Sequence, residues 1–258
     1  MKEYMNRIVA SPMEQFEIYD FITFNAPLLG SIKFSLTNIG FYLSLVFLLV
    51  LLILYLSSNN NNLIPSKWSI FQEGLYSSVL NIVRDQIGPS KELYLPFIYT
   101  LFIFVLLNNL VGLIPYSFTP TSHLLLTISI SVTIFLGVTI LGIVQHGLGF
   151  FAFFIPAGTP LALVPLLVPL ELVSYFARAL SLGVRLGANI IAGHALLKII
   201  STFTWQLTTA GPIIFIISLL PIAFLTALFG LELGIAFLQA YVITILTCSY
   251  LKDAIYLH

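Results

Sequence analysis

Charge is what this sequence has least of. Ten Lys and Arg and ten Asp and Glu stand among 258 residues, 8% in all, where an average soluble domain carries about a quarter. The two signs cancel, so no basic surface of the kind that binds nucleic acid is expected. Cysteine is nearly absent as well. The single Cys248 lies within an apolar segment, which excludes a disulfide framework and a thiolate metal cluster and leaves a small buried residue. Lys2, Glu3 and Arg7 precede Ser11-Pro12 without an apolar core of the length a secretory signal needs. The four histidines are far apart, and no two occupy successive turns of one helix, so haem ligation is not expected. No nucleophile with its base and no phosphate loop is visible either. Bond-making chemistry, a cofactor and a metal are therefore all unexpected in this chain.

What is abundant is apolar sequence, 59% of the chain, with a mean hydropathy of +1.05. Continuous apolar runs cover 36–56, 95–115, 124–145, 160–201 and 212–251. Each is long enough for the roughly 30 Å hydrocarbon core of a bilayer, which takes about 20 helical residues. Unpaired backbone groups cannot face lipid, so the spans must be helices. The expected fold is an all-α polytopic membrane protein with about five crossing helices in a single membrane region, 36–258.

Residues 1–35 mix Glu14, Glu17 and Asp20 with Phe16, Ile18 and Phe21 and read as a short peripheral segment, with Pro12 and Pro27 limiting any helix. The first span, 36–56, stops at Ser57-Ser58 and the run Asn59 to Asn62, a polar loop. Over 66–88, Trp68, Phe71, Leu75, Val79, Ile82, Val83 and Ile87 recur at helical spacing while Lys67, Glu73, Arg84 and Asp85 take other faces. That is an amphipathic helix with too many charges to cross. It should lie along the membrane surface, a packed solvent-side helix being the alternative. Residues 95–145 form a hairpin across the polar turn 117–123, and a loop around Gly158-Thr159-Pro160 follows.

The 160–201 run alone would make a helix about 63 Å long, twice the hydrocarbon thickness. Either each long segment breaks into two spans, or 160–258 is one hairpin of strongly tilted helices turning at 202–212. No polar turn interrupts 171–201 or 222–251, which favours the tilted hairpin, with Pro165, Pro169 and Pro221 as candidate kinks. Lys67, Arg84 and Lys91 cluster in the 57–94 connection, Lys252 follows the last span, and the turns at 117–123 and 202–211 carry no Lys or Arg. Positive-inside logic puts the 57–94 connection and the C-terminus on one side, as five crossings require.

Arg185 sits deep in the fifth run. A guanidinium there costs roughly 2.5–3.5 kcal/mol on insertion scales and does not escape by losing its proton. Glu171, Arg178 and Arg185 are spaced by seven, so each lags its predecessor by only about 20° and the three form one stripe. Asn189 extends it by a turn, while His194, nine residues on, faces the opposite way. Glu232, Gln239 and Asp253 make a second stripe in the last run. Ionisable groups inside a span face a bundle interior or aqueous cavity and mark ion paths. Simpler readings stand beside this one: Arg178 as a partner of Glu171, Gln239 as a helix-to-helix hydrogen bond, Lys198 snorkelling, and His123 and His146 at the interfaces. Gly183 and Gly187 bracket Arg185 at a spacing that lets another helix come close.

These segments, Pro169-Leu170-Glu171 through His194, Leu231-Glu232-Leu233 through Gln239-Ala240-Tyr241, and Tyr250-Leu251-Lys252-Asp253-Ala254, resemble the a subunits of F-type ATP synthase membrane sectors, most closely the mitochondrial ones of fungi. The resemblance covers nearly the whole chain. It implies a stator subunit in the mitochondrial inner membrane, with 57–94 and the C-terminus on the matrix side. Its partners would be a rotating ring of small proteolipid hairpins (the c-ring), other membrane-sector and peripheral-stalk subunits, and the bilayer, and the transported ion would be the proton. Arg185 matches the family's arginine, and Asn189 and Gln239 its polar neighbours at the ring face. His194 and Glu232 match one half-channel, and Glu171 and Asp253 the other. Ser11-Pro12-Met13-Glu14 resembles a mature start, so residues 1–10 are a possible propeptide. The competing expectations are a subunit of another proton or cation transporter, such as an antiporter-like respiratory component, and an inert membrane anchor.

Overall fold

The computed structural model describes residues 13–26, 32–57, 65–114, 117–154, 163–209 and 211–256. Six α-helices dominate: α1 (Asn38–Ser57), α2 (Lys67–Gln86), α3 (Leu95–Gly112), α4 (Leu124–His146), α5 (Val164–Thr209) and α6 (Pro212–Ile255). All but α2 are long and apolar enough to cross a membrane, so the chain is an all-α polytopic membrane protein with one additional amphipathic helix.

The peripheral N-terminal segment holds structure that its composition did not announce. Strands β1 (Asp20–Ala26) and β2 (Ile32–Thr37) pair antiparallel, with Thr23 opposite Ser35. A lone two-stranded ribbon is marginal in water, and this one is tied to α1. The Asn38 amide donates to the Glu17 carbonyl at 2.9 Å, and Phe21 meets Phe41 edge-on with centroids 5.8 Å apart. The expected propeptide, residues 1–10, and the Gly158-Thr159-Pro160 loop lie outside the described residues.

Helix α2 starts at Ser66, whose hydroxyl accepts from the Ser69 amide at 3.2 Å and so satisfies one of the free N–H groups of the first turn. Its apolar face is divided. Val79, Val83 and Ile87 are buried in the central core with Ile98, Val105, Leu186, Ala240 and Ile243, whereas Trp68, Ile70 and Phe71 are exposed. The helix is thus docked at its C-terminal end and open at its N-terminal end.

Neither long helix breaks. Pro169 lies inside α5 and Pro221 inside α6, and the turn expected over 202–212 shrinks because α5 continues to Thr209. Gly211, at φ 150°, precedes Pro212 at the start of α6, where a missing N–H costs nothing.

Leu124, the first residue of α4, sits against Gly187, and Asn109, near the end of α3, reaches Ala236. Past these points α5 and α6 run on together as an arm whose α5 strand, 188–209, is about 33 Å long. Ile199 (55% exposed), Phe203 (54%), Ile216 (69%) and Leu220 (79%) cover it. Held collinear with the bundle, that apolar arm would stand in water. A strong tilt of the α5–α6 hairpin keeps it within hydrocarbon.

Candidate proton path

Small residues let α5 approach its neighbours on two sides. A Cβ on Gly183 would meet Ser131 Oγ at 2.5 Å and the Ile128 Cα at 2.8 Å, and one on Gly187 would meet Leu124 Cδ2 at 2.8 Å. The close partner implied by the glycine spacing is therefore α4 of the same chain. Arg185, about 200° round from Gly183, is turned away from that seam and exposed. Its one hydrogen bond among the described residues is a long one, Nη2 to Ser181 Oγ at 3.5 Å.

Two polar clusters lie on either side of Arg185 along α5. Toward the helix start, Arg178 stands 3.4 Å from Glu171 and 3.8 Å from Asp253. The simple i,i+7 pairing is thus present, and α6 adds a second carboxylate to it. Tyr175 and Tyr250 are near enough to feel the Arg178 and Asp253 charges, and Tyr250 that of Arg185 as well. The middle of this cluster is about 10 Å from Arg185 at 1.5 Å per residue.

Toward the arm, about 13 Å beyond Arg185, His194 faces α6 with Nε2 3.8 Å from Glu232 Oε1. That separation is too long for a hydrogen bond. Both Glu232 oxygens are buried without a hydrogen-bond partner, and a buried carboxylate left so is costly. The deficit is met by space. A half-open cleft of about 380 Å³ lies there, lined by Asn109, Asn189, His194, Glu232 and Gln239 among apolar neighbours. A cleft with convergent polar groups on this scale admits water. Gly193 makes the carboxylate position possible, since a Cβ there would come within 2.6 Å of Glu232 Oε1.

The structure therefore brings together Asn189, His194, Glu232 and Gln239 at one place and Glu171, Arg178 and Asp253 at another, with Arg185 alone between them. The seven-residue spacing along α5 is kept, and α6 adds Asp253 to one end of it and Glu232 beyond the other. His123 and His146 lie at helix ends. Burial lowers the His123 pKa, and its ring is 5.4 Å from that of Phe118. His146 Nε2 is 3.1 Å from the Ile255 carbonyl, joining the ends of α4 and α6.

Three residues of these clusters carry little signal in the sequence. Tyr175 and Tyr250 look like ordinary interfacial aromatics, with only their spacing from Glu171 and Asp253 as a mark. Asn109 is marked more openly, by the pair Asn108-Asn109 in an otherwise apolar run. It donates from Nδ2 to the Ala236 carbonyl at 3.4 Å and accepts from the Thr121 hydroxyl at 3.3 Å.

The sequence profile of the ATP synthase A chain matches residues 40–252. A protein of Emericella nidulans named ATP synthase subunit a is 53% identical over 256 residues, covering 99% of this chain and all of its own length. Proteins of the same name from Mycosarcoma maydis, 53% identical, and Penicillium chrysogenum, 54% identical, each align over 97% of this chain and 99% and 98% of their own. Matches of this length and identity leave one assignment: the chain belongs to the ATP synthase A chain family.

Proposed function

We propose that this chain is the proton-conducting stator of an ATP synthase membrane sector in the mitochondrial inner membrane. In this reading the cleft around His194 and Glu232 and the cluster around Glu171, Arg178 and Asp253 are two offset half-paths, and neither reaches across the bilayer alone. A ring of small hairpins, each bearing one carboxylate, turns against the exposed face of α5 and α6. A proton taken up from one half-path neutralises a ring carboxylate, which then tolerates lipid. After nearly a full turn the proton leaves through the other.

The observation that carries this reading is the position of Arg185, exposed on α5 and flanked by a polar cluster on each side. Its charge favours the ionised form of an arriving ring carboxylate. Its permanent protonation denies protons a direct hop between the half-paths. Each proton crossing 100 mV contributes about 2.3 kcal/mol, so several must be summed per ATP. That summation is what a ring provides. The remaining site residues serve the two paths: Asn189 and Gln239 beside the ring face, His194 and Glu232 at uptake, Glu171 and Asp253 at release, with Arg178 holding the last two. Matrix-side placement of 57–94 and the C-terminus follows from the charge asymmetry of the connections.

The test is Arg185→Gln in the assembled synthase, reconstituted into vesicles. ATP synthesis driven by an imposed proton gradient should vanish while the complex still assembles. Synthesis continuing at the unaltered rate would overturn the assignment, and loss of the complex itself would redirect Arg185 to assembly.

A further inference from the structure

The last turn of α6 is held from two directions. On one side Asp253 meets Arg178 of α5 at 3.8 Å. Ile255, two positions on and so about 200° round the helix, is buried in the central core. Its carbonyl is one of the last four of α6, which find no partner within the helix. It stands 3.1 Å from Nε2 of His146, the final residue of α4. A carbonyl oxygen can only accept, so Nε2 carries the hydrogen and the imidazole is the donor.

His146 stands on a fixed base. Gly147, at φ 59°, turns the chain away directly after it, and the Gly147 N–H closes onto the Ile143 carbonyl. A residue with a Cβ rarely adopts that backbone. The chain then folds back along α4, so that the Phe150 ring takes the space a Cβ on Gly142 would need. One residue before His146, Gln145 donates from Nε2 to the Tyr94 hydroxyl at 3.4 Å, which ties the same end of α4 to the segment leading into α3. At the α6 end there is little slack. An ion pair extends only to about 4 Å, so a shift of the α6 terminus away from α5 by a fraction of an ångström takes Asp253 out of reach of Arg178.

We propose that His146 is a positioning residue for proton release. By donating to the Ile255 carbonyl it fixes the last turn of α6 at the height and rotation where Asp253 shares Arg178 with Glu171. This role rests on the release path proposed above, and it adds a third helix, α4, to the two that supply the charged groups of that path. What it requires of His146 is a donor at one distance from the α4 backbone. The amide of glutamine meets that requirement, whereas leucine and the shorter asparagine do not.

The experiment uses the intact synthase in vesicles, with proton flux driven by an imposed gradient and followed by a pH-sensitive dye. His146→Leu should lower flux on the order of tenfold, the scale on which an ångström of misplacement acts. His146→Gln should return it to within about twofold of the unaltered complex, the agreement expected where an interaction is kept. The Asp253→Asn background separates this role from a merely structural one. There, with no charge left to place beside Arg178, His146→Leu should change flux by less than about twofold, whereas a general loosening of the fold would lower flux by the same factor in both backgrounds. If His146→Leu does not assemble, His146→Asn, which keeps a polar side chain too short to reach the carbonyl, replaces it in both. Failure of glutamine to rescue, equal factors in the two backgrounds, or unchanged flux in His146→Leu would each overturn the proposal. When Arg178→Gln also leaves flux unchanged, the release path itself falls; when Arg178→Gln lowers it, only the role of His146 does.

Discussion

His194 and Glu232 face one another across the α5–α6 seam 3.8 Å apart, and the residue that lets them do so is Gly193, whose missing Cβ leaves room for the carboxylate. Three features of the chain meet there: a glycine, a histidine, and a glutamate brought in from the other arm of the hairpin. The pair does not close into a hydrogen bond, and the cleft beside it supplies the space for water to bridge. In the proposed path, a loose pair with room for water would transfer protons more readily than a tight ion pair, whose charges stabilise each other in place.

Gly193→Ala therefore tests geometry apart from chemistry. The new methyl would press on Glu232 Oε1, the far end of a flexible side chain, so the helices have no need to separate. The complex should assemble and melt normally while proton flux falls on the order of tenfold, the scale on which an ångström of misplacement acts. Gradient-driven proton uptake, measured by a pH-sensitive dye in vesicles, provides the check. Unchanged flux would show that the exact carboxylate position is unimportant.

At the other glycine seam the opposite balance is expected. A methyl at Gly183 meets backbone, the Ile128 Cα at 2.8 Å and the Thr127 carbonyl at 2.9 Å, whereas one at Gly187 meets mainly the ends of the Leu124 and Thr127 side chains. Gly183→Ala should destabilise the α4–α5 contact by about 1–3 kcal/mol, the usual cost of overpacking, and Gly187→Ala by less. Thermal unfolding of the purified complex, followed through the loss of assembled membrane sector, ranks the two. The reverse order would mean that α4 shifts as a rigid rod.

These seams separate what residue order makes legible from what it withholds. Hydropathy and length are local properties, so the five spans, the tilt of the last two helices and the depth of Arg185 in the fifth follow from the amino-acid sequence alone. A period of seven also marks Glu171, Arg178 and Arg185 as aligned. It does not say which neighbour each finds, because that depends on the register of α6 against α5. Asp253 joins Arg178, and Glu232 joins His194, only once the hairpin closes. The strands β1 and β2 are hidden for a different reason. Their pairing rests on contacts with α1 and on a short ribbon whose alternation is too weak to stand out beside five apolar helices.

Arg178 holds two carboxylates, Glu171 at 3.4 Å and Asp253 at 3.8 Å, and its removal leaves both without their shared cation. Arg178→Gln should impair flux more than either Glu171→Gln or Asp253→Asn. Combining it with Asp253→Asn should recover part of the loss, because one of the two carboxylates that lost Arg178 is then neutral. A double-mutant cycle on proton flux and on melting temperature measures the coupling, expected between about 0.5 and 3 kcal/mol for groups in contact. Strict additivity would show that the 3.8 Å contact to Asp253 carries no energy.

Asn109 lines the cleft beside the His194–Glu232 pair and also ties α3 to α6. It is 3% exposed and Thr121 is fully buried, and together they bond α3 to the α6 backbone at Ala236, one turn after Glu232. Asn109→Leu removes the donor to Ala236 and leaves the Thr121 hydroxyl without its acceptor, so the expected cost is about 1 kcal/mol, within the range for hydrogen bonds between membrane helices. Thr121→Val alone should cost less, since Asn109 keeps its bond to Ala236, and adding it to Asn109→Leu should cost little more than Asn109→Leu alone. If Asn109 steadies the register of α6, flux should fall in the leucine variant in step with the loss of stability, and Asn109→Gln, with a longer amide, should restore neither. A leucine variant with full stability and reduced flux would instead make Asn109, which lines the cleft, a proton-path residue in its own right.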